Sequence, residues 1–535
     1  MPVTTDQTLT AHWDERTFQL TPDRGHANGN TPATITTQPE TSSLRFTQIS
    51  AGAGTAYAIA SDGNTYAWGY NRYQQLGAGS TNEYETMPVR VKMPAGVHFI
   101  QIAAGWQHAL ALGDDHHVYS WGANIGGWPA DTSPNIPFPK RIDSGLPAEV
   151  LQVNSNDQSS SSFALGSDNK IYAWGSNYFG QLGTNAGVGI NMPVRQPTRI
   201  TGGTLPTNII QISTGNSFTM ALGSDHQVYA WGNNDRGQVG STEVGTAQPV
   251  PRRITGGDLP ASITQIDAGI SHALALGSDG KVYAWGRNTS GQLGKSTGMG
   301  MYDTNPLPTR VSGGNMPDTV TQISAGGESS LALGSDHKAY GWGYIAGTEP
   351  DYKQPTPTRI SAGNTPDTII QVDAGSSSGY VLSNDHRIFA WGSRQLGILG
   401  DGTPSSNTFR PELGPVKAFK IDITNTLFGD PTHTATSTYD PEHNQWKLNT
   451  PPHPVGTVPV TIKWSLAGCP EDDYTINPGF TYYDFALPQA GAIPLQRLGG
   501  GSLIGLSALA SLTWTGYQLS RKRRAQPRHT PTATN

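Results

Sequence analysis

Cysteine is almost absent: Cys469 is the only one in 535 residues. No intrachain disulfide can form, and paired-cysteine zinc sites are excluded. A basic excess is also missing, since 34 Lys and Arg stand against 40 Asp and Glu for a net charge of -6. No global field draws the chain to nucleic acid, and no nucleic-acid partner is expected. The opening MPVTTDQTLTAHWDERTFQL has no charged segment followed by an apolar core, so it does not read as a secretory signal. Catalytic signatures are wanting too, with no nucleophile elbow, P-loop, HExxH or paired-cysteine motif in the sequence. The expectation is a non-enzyme with no cofactor and no metal.

Glycine and proline are plentiful, 65 and 39 residues, which favours many short strands joined by turns. A Trp-Gly pair recurs at Trp68, Trp121, Trp174, Trp231, Trp285, Trp342 and Trp391, at intervals of 49 to 57 residues. A period of that length marks stacked units, each too small to bury its own apolar surface. Within one unit TQIDAG (264–269), HALALG (272–277) and KVYAWG (281–286) read as strands. The last two are joined by the turn Ser278-Asp279-Gly280, whose third position elsewhere is Gly63, His116, Asn169, His226, His337 or His386. Gly, Asn and His all tolerate a positive φ, so these histidines are expected in turns rather than at a metal. Asp62, Asp168, Asp225, Asp279 and Asp336 occupy the same turn and read as turn formers.

The alternation along these strands is small against large, as in Val282-Tyr283-Ala284-Trp285, so both sheet faces are covered. A fourth, outer strand is signalled by Pro-x-Arg-Ile/Val at Pro88, Pro139, Pro197, Pro251, Pro308 and Pro357. Four-stranded units around an axis give an all-β, seven-bladed propeller over 46–414, with the Trp as buried plates between blades. Six outer-strand motifs serve seven blades, so one blade needs another strand. Thr31-Pro-Ala-Thr-Ile35 is the favoured donor, and Phe409-Arg-Pro-Glu-Leu413 is the alternative.

The repeats resemble the RCC1 family, whose units end in W-G-x-N-x-x-G-Q-L-G. The matching stretches end at Gln75-Leu-Gly77, Gln181-Leu-Gly183, Gln238-Val-Gly240 and Gln292-Leu-Gly294. GANIGGWP after Trp121, GYIAGTEP after Trp342 and RQLGILG in the seventh unit depart from the pattern. Members that exchange guanine nucleotide on a small GTPase carry a basic tail and a wedge-like insertion, neither of which is visible, so that activity is not expected. Other members act as protein-binding discs, including bacterial inhibitors of β-lactamases. Trp106, Trp128, Tyr178 and Phe179 occupy loop positions that the repeat does not require and are the candidate partner-binding residues.

Residues 415–483 resemble a TIG-type immunoglobulin-like β-sandwich. Residues 1–20 resemble the end of a small bacterial surface repeat, and 21–45 read as a linker with a possible closing strand. In 484–535, Leu487-Pro488-Gln489-Ala490-Gly491 precedes an uncharged segment, 498–520, and the run Arg521-Lys522-Arg523-Arg524. This is similar to the LPxTG cell-wall sorting signal of Gram-positive bacteria, with Ala490 in place of Thr. By that resemblance sortase is a transient partner, 498–520 is a transmembrane helix and the basic run is its membrane stop. The implied location is the cell surface, anchored to wall or membrane, with the export signal upstream or lost. The function expected is surface binding or adhesion through an extracellular protein or glycan ligand. A soluble inhibitor-like propeller or an uncharacterised hydrolase is the alternative.

Overall fold

The computed structural model describes residues 17–38, 45–124, 134–155, 160–190, 192–300, 303–344, 353–417, 421–440, 445–466, 469–470 and 473–484. Seven four-stranded antiparallel sheets follow one another along the chain from Phe46 to Pro415, and each is built from four consecutive strands. The fifth is typical: Ile263–Ala268 innermost, then His272–Gly277, Val282–Gly286 and, outermost, Asn305–Arg310. The second strand of every blade is buried along its whole length, as a layer covered on both faces requires.

The Trp-Gly pair has a backbone cause. Gly286 sits at φ +101, where the register against the outer strand shifts between Ala284 and Gly286. A Cβ there would lie 2.5 Å from the carbonyl oxygen of Ser271. Only glycine fits, and the bulge turns the neighbouring Trp285 into the gap between blades. All seven blade tryptophans are buried, at 0 to 2% exposure.

The hairpin between second and third strands uses one geometry throughout. Gly63, His116, Asn169, His226, Gly280, His337 and His386 all have φ between 58 and 75. The preceding Asp caps the turn: Asp279 Oδ1 accepts the amide of Lys281 at 3.0 Å and its Oδ2 accepts the hydroxyl of Tyr283 at 2.8 Å. The same pair of bonds recurs at Asp115 and Asp225.

The outer strand of the seventh blade is Phe409–Pro415, not the N-terminal segment. Its degenerate sequence is compensated by Arg410, which donates to Asp401 at 2.7 Å and to the Ala390 carbonyl at 2.6 Å in a nearly buried site. The favoured donor, Thr31–Ile35, lies elsewhere. Pro32–Gln38 pairs antiparallel with Thr17–Thr21 on one side and Gln445–Asn449 on the other. Ala33 and Ile35 are both buried there, in register with Leu448 and Trp446. The resemblance between TPATI and TPTRI is local, whereas the alternation of Ala33 and Ile35 fits a sheet with one covered face.

These strands form a four-stranded sheet with Thr438–Asp440. A second sheet is built from Arg24–His26, Tyr474–Tyr483, Gly456–Leu466, Ile421–Phe428 and short edge strands. The two share a core: the Phe18 ring lies 5.1 Å from Trp464 and 5.3 Å from Tyr474. Residues 17–38 therefore belong with 421–483 rather than forming a linker. The sorting signal, the 498–520 segment and the basic run lie outside the described residues, among which no helix is long and apolar enough to cross a membrane.

Candidate interaction site

Because consecutive strands are antiparallel, the loops after the first and third strands of every blade emerge on one face. The hairpins and the connections between blades emerge on the other. Trp106 lies in the first loop of blade two, and Tyr178 and Phe179 in the last loop of blade three, so all three belong to the same face. Trp128 lies outside the described residues.

The recurring W-G-x-N-x-x-G-Q-L-G loop is a small scaffold. In blade three, Asn177 Nδ2 donates to the carbonyls of Thr184 and Ala186, and its Oδ1 accepts the Leu182 amide at 2.8 Å. Gln181 Oε1 accepts the Phe179 amide at 3.0 Å. Asn71, Asn234 and Asn288 repeat the arrangement. The backbone is thus fixed by Asn and Gln, which leaves the residues between them free to vary. In blade three these are Tyr178, 46% exposed, and Phe179, half-buried and edge-on to it at 4.9 Å. The same loop also exposes Ile190 (53%) and Met192 (71%). Trp106 is 43% exposed on the neighbouring blade.

The Gln carbonyl of this loop has a second task. Gln75, Gln181, Gln238 and Gln292 each accept the indole N–H of the next blade's tryptophan, at 2.6 to 2.9 Å. At the seam, Trp68 donates to Ile398 at 2.9 Å, so Ile398-Leu399-Gly400 is the seventh unit's equivalent of Gln-Leu-Gly. The sequence missed a further set, although Gln recurs at 48, 101, 152, 211, 265, 322 and 371 in the innermost strands. Gln211 Nε2 donates to Ile266 O and its Oε1 accepts Ile266 N–H, both at 2.9 Å. Gln265 repeats this on Ile323 and Gln322 on Val372. Gln371 closes the ring on Ile49, donating at 2.9 Å and accepting at 3.2 Å. No strand is exchanged; these side chains hold the seam together with two backbone bonds, from the Phe46 amide to the His386 carbonyl and from the Gly402 amide to the Thr86 carbonyl, each at 2.9 Å.

The channel enclosed by the inner strands is narrow, about 140 Å³, and lined largely by Ala, Ser, Thr, Asn and Asp. Asp267 reaches the lumen, and burial within the ring pushes its pKa up. Its Oδ1 accepts Ser213 Oγ–H at 2.8 Å and its Oδ2 accepts the Ala325 amide at 2.8 Å. Asp373 accepts the Ala51 amide at 3.3 Å across the seam. Both carboxylates bridge blades. His272 is buried as well: its Nε2 lies 3.0 Å from Ser330 Oγ, whose hydroxyl donates to the Gln292 carbonyl. That network assigns the proton to Nε2 and leaves Nδ1 bare, matching its lack of a partner. Burial holds His272 down at about 3 and His108, whose Nε2 faces Ser162 at 2.9 Å, at about 4.

Outside the propeller, Asp430, His433 and His453 bring three potential ligand atoms within 4.8 Å of one another. The Thr432 hydroxyl and amide, followed by His433, hold the Asp430 carboxyl well below the usual carboxylate range. The sequence reading passed over this group, because His453 stands 20 residues from His433 and on another loop.

A disc of seven contiguous Trp-Gly blades, with Asn/Gln-braced loops on one face, defines an RCC1-type propeller. The RCC1-like domain profile matches residues 129–435, more than half of the chain, and RCC1 repeat profiles match 62–112 and 46–75. The chain belongs to the RCC1-like domain family. It is 28% identical over 305 residues to the ultraviolet-B receptor UVR8 of Arabidopsis thaliana, an alignment that covers 56% of this chain and 65% of the receptor. It is 32% identical over 251 residues to a probable E3 ubiquitin-protein ligase of Homo sapiens, HERC6, across 45% of this chain and 23% of the ligase. The chain thus spans less than two thirds of either relative. Among solved structures it resembles Prp20p of Saccharomyces cerevisiae, studied for its binding to Gsp1p and histones, with a TM-score of 0.55 and 24% identity. That likeness covers 71% of this chain and 90% of Prp20p.

Proposed function

We propose that the chain is a binding protein that presents its propeller at a cell surface and receives a protein ligand on the loop face bearing Trp106, Tyr178 and Phe179. The observation that carries this reading is the exposure of Tyr178, with Ile190 and Met192, on a loop that Asn177 and Gln181 brace, and of Trp106 on the same face of the neighbouring blade. Large aromatic side chains on pre-ordered loops give contact area with little loss of conformational freedom on binding. The opposite mouth also exposes apolar residues, Ile100, Leu151 and Ile210, but among the described residues no exposed Trp or Tyr accompanies them.

Surface display rests on the sequence of the tail, where Leu487-Pro488-Gln489-Ala490-Gly491, the 498–520 segment and Arg521-Lys522-Arg523-Arg524 stand in the order of a sorting signal. The 17–38 and 421–483 module then serves as a TIG-like, immunoglobulin-type stalk. Mass spectrometry of peptides released from purified cell wall tests the display: a peptide ending at Ala490 and joined to wall material is expected. An intact C-terminus at Asn535 in the cytoplasm would refute it. Binding is tested separately by a Trp106→Ala, Tyr178→Ala double variant, which should lose ligand capture while melting like the parent chain.

A further inference from the structure

We propose that Asp430, His433 and His453 form a site for a divalent transition metal of the zinc class, tying together two loops of the second module. Asp430 and His433 sit in the turn 429–433 that follows strand Ile421–Phe428. That turn is closed by the Phe428 amide donating to the His433 carbonyl at 2.8 Å. Asp430 Oδ1 accepts the Thr432 amide at 2.8 Å and lies 3.0 Å from His433 Nδ1. With metal bonds of about 2.0 to 2.2 Å, neighbouring ligand atoms stand roughly 3 to 3.5 Å apart, so this pair already has a chelating separation.

His453 comes from a different loop, between Gln445–Asn449 and Gly456–Leu466. Its backbone amide donates to Ala27 at 2.9 Å, and its ring stacks on Tyr482 at 5.0 Å with planes 21° apart. The His433 ring is 4.5 Å away. His453 Nδ1 lies 2.9 Å from the Pro454 carbonyl, so it carries the proton and Nε2 keeps its lone pair. A ligating histidine is oriented in this way when its second nitrogen donates to a carbonyl. The space beside Nε2 is kept open by Gly429, at φ +84, where a Cβ would lie 3.2 Å from that nitrogen.

Turn formation accounts for Asp430, but it does not account for His453, whose loop is already shaped by Pro451, Pro452 and Pro454. Two imidazoles and one carboxylate suit zinc, nickel or copper and are poor ligands for calcium or magnesium. Three protein ligands leave the remaining position to water. The bound ion would clamp the 429–433 turn to the 450–455 loop and, through Ala27, to the N-terminal strands of the module.

The test uses the full chain, stripped with chelator and titrated with Zn²⁺ and Co²⁺ alone. One equivalent is expected to bind, with a visible Co²⁺ absorption band that Zn²⁺ abolishes. His433→Ala and His453→Ala should each weaken binding at least about 10-fold, the lower end of what even an outer-layer partner contributes. Thr432→Val, which keeps all three ligands, should retain it. Absence of stoichiometric binding, or full binding in both histidine variants, would overturn the proposal. Should a variant fail to fold, X-ray absorption of the zinc-loaded parent chain decides: two imidazoles among light donors support the site, and any other imidazole count removes it.

Discussion

Replacing Gln371 with Ala removes the two bonds by which blade seven holds the Ile49 backbone of blade one. Each backbone group left without a partner costs about 1 to 3 kcal/mol when buried. Gln371 is half-buried at the channel wall, where water can reach the vacated groups, so the lower part of that range applies and the loss is about 2 to 3 kcal/mol. Gln211→Ala removes the same pair of bonds inside the ring, between blades that remain joined by the short connection from Arg253 to Ile263. The seam has no such tether, because the chain leaves the ring after Pro415 and the N-terminal strand pairs elsewhere. Denaturant unfolding should therefore register a loss in both variants, whereas native-state hydrogen exchange should separate them. A loss of 2 kcal/mol corresponds to roughly 30-fold in an opening equilibrium, so the Ile49 and Ala51 amides should exchange roughly 30-fold faster in Gln371→Ala alone. Unchanged exchange at Ile49, or the same acceleration in Gln211→Ala, would refute a special role for the Gln371 bonds in closing the ring.

Other consequences follow from the same contacts. His272 and His108 are held below their unfolded value of 6.5, so the unfolded chain binds more protons as pH falls from about 6.5 to about 4, and stability declines over that window. His272→Gln should flatten the slope of stability against pH there by up to about 1.4 kcal/mol per pH unit in denaturation series at stepped pH. Trp285→Ala should cost about 3 to 5 kcal/mol by leaving a cavity between blades, while Tyr178→Ala should stay within about 0.5 kcal/mol, both read from denaturant midpoints. Asp401→Asn strips the nearly buried Arg410 of its counter-charge and should destabilise the seventh blade by about 3 kcal/mol in the same assay. Deleting 17–38 should lower the melting of the second module and leave the exchange of blade-one amides in place, since those strands pair with Gln445–Asn449.

Local features were legible in the sequence. The period, the buried plate at each Trp-Gly and the positive φ at all seven hairpin positions follow from spacing and residue type, because the residues that decide them are neighbours along the chain. Long-range partners were not. Thr31–Ile35 carries an outer-strand sequence, yet its partner is settled by which sheet offers a matching apolar register, and Trp446 and Leu448 stand more than 400 positions away. The glutamine ring was present as a Gln at the same place in the first strand of every repeat, but a half-buried amide in a strand gains a role only when the next blade's backbone lies beside it. Asp430, His433 and His453 escaped notice for the related reason that three short strands separate His433 from His453.

The most direct test of the binding account is to place a photo-crosslinking phenylalanine at Tyr178, at Trp106 and, on the opposite mouth, at Leu151, and to irradiate intact cells of the native organism. The account predicts that positions 178 and 106 yield covalent adducts with the same protein and that position 151 yields none. Adducts formed at 151 alone, or at no position, would contradict it.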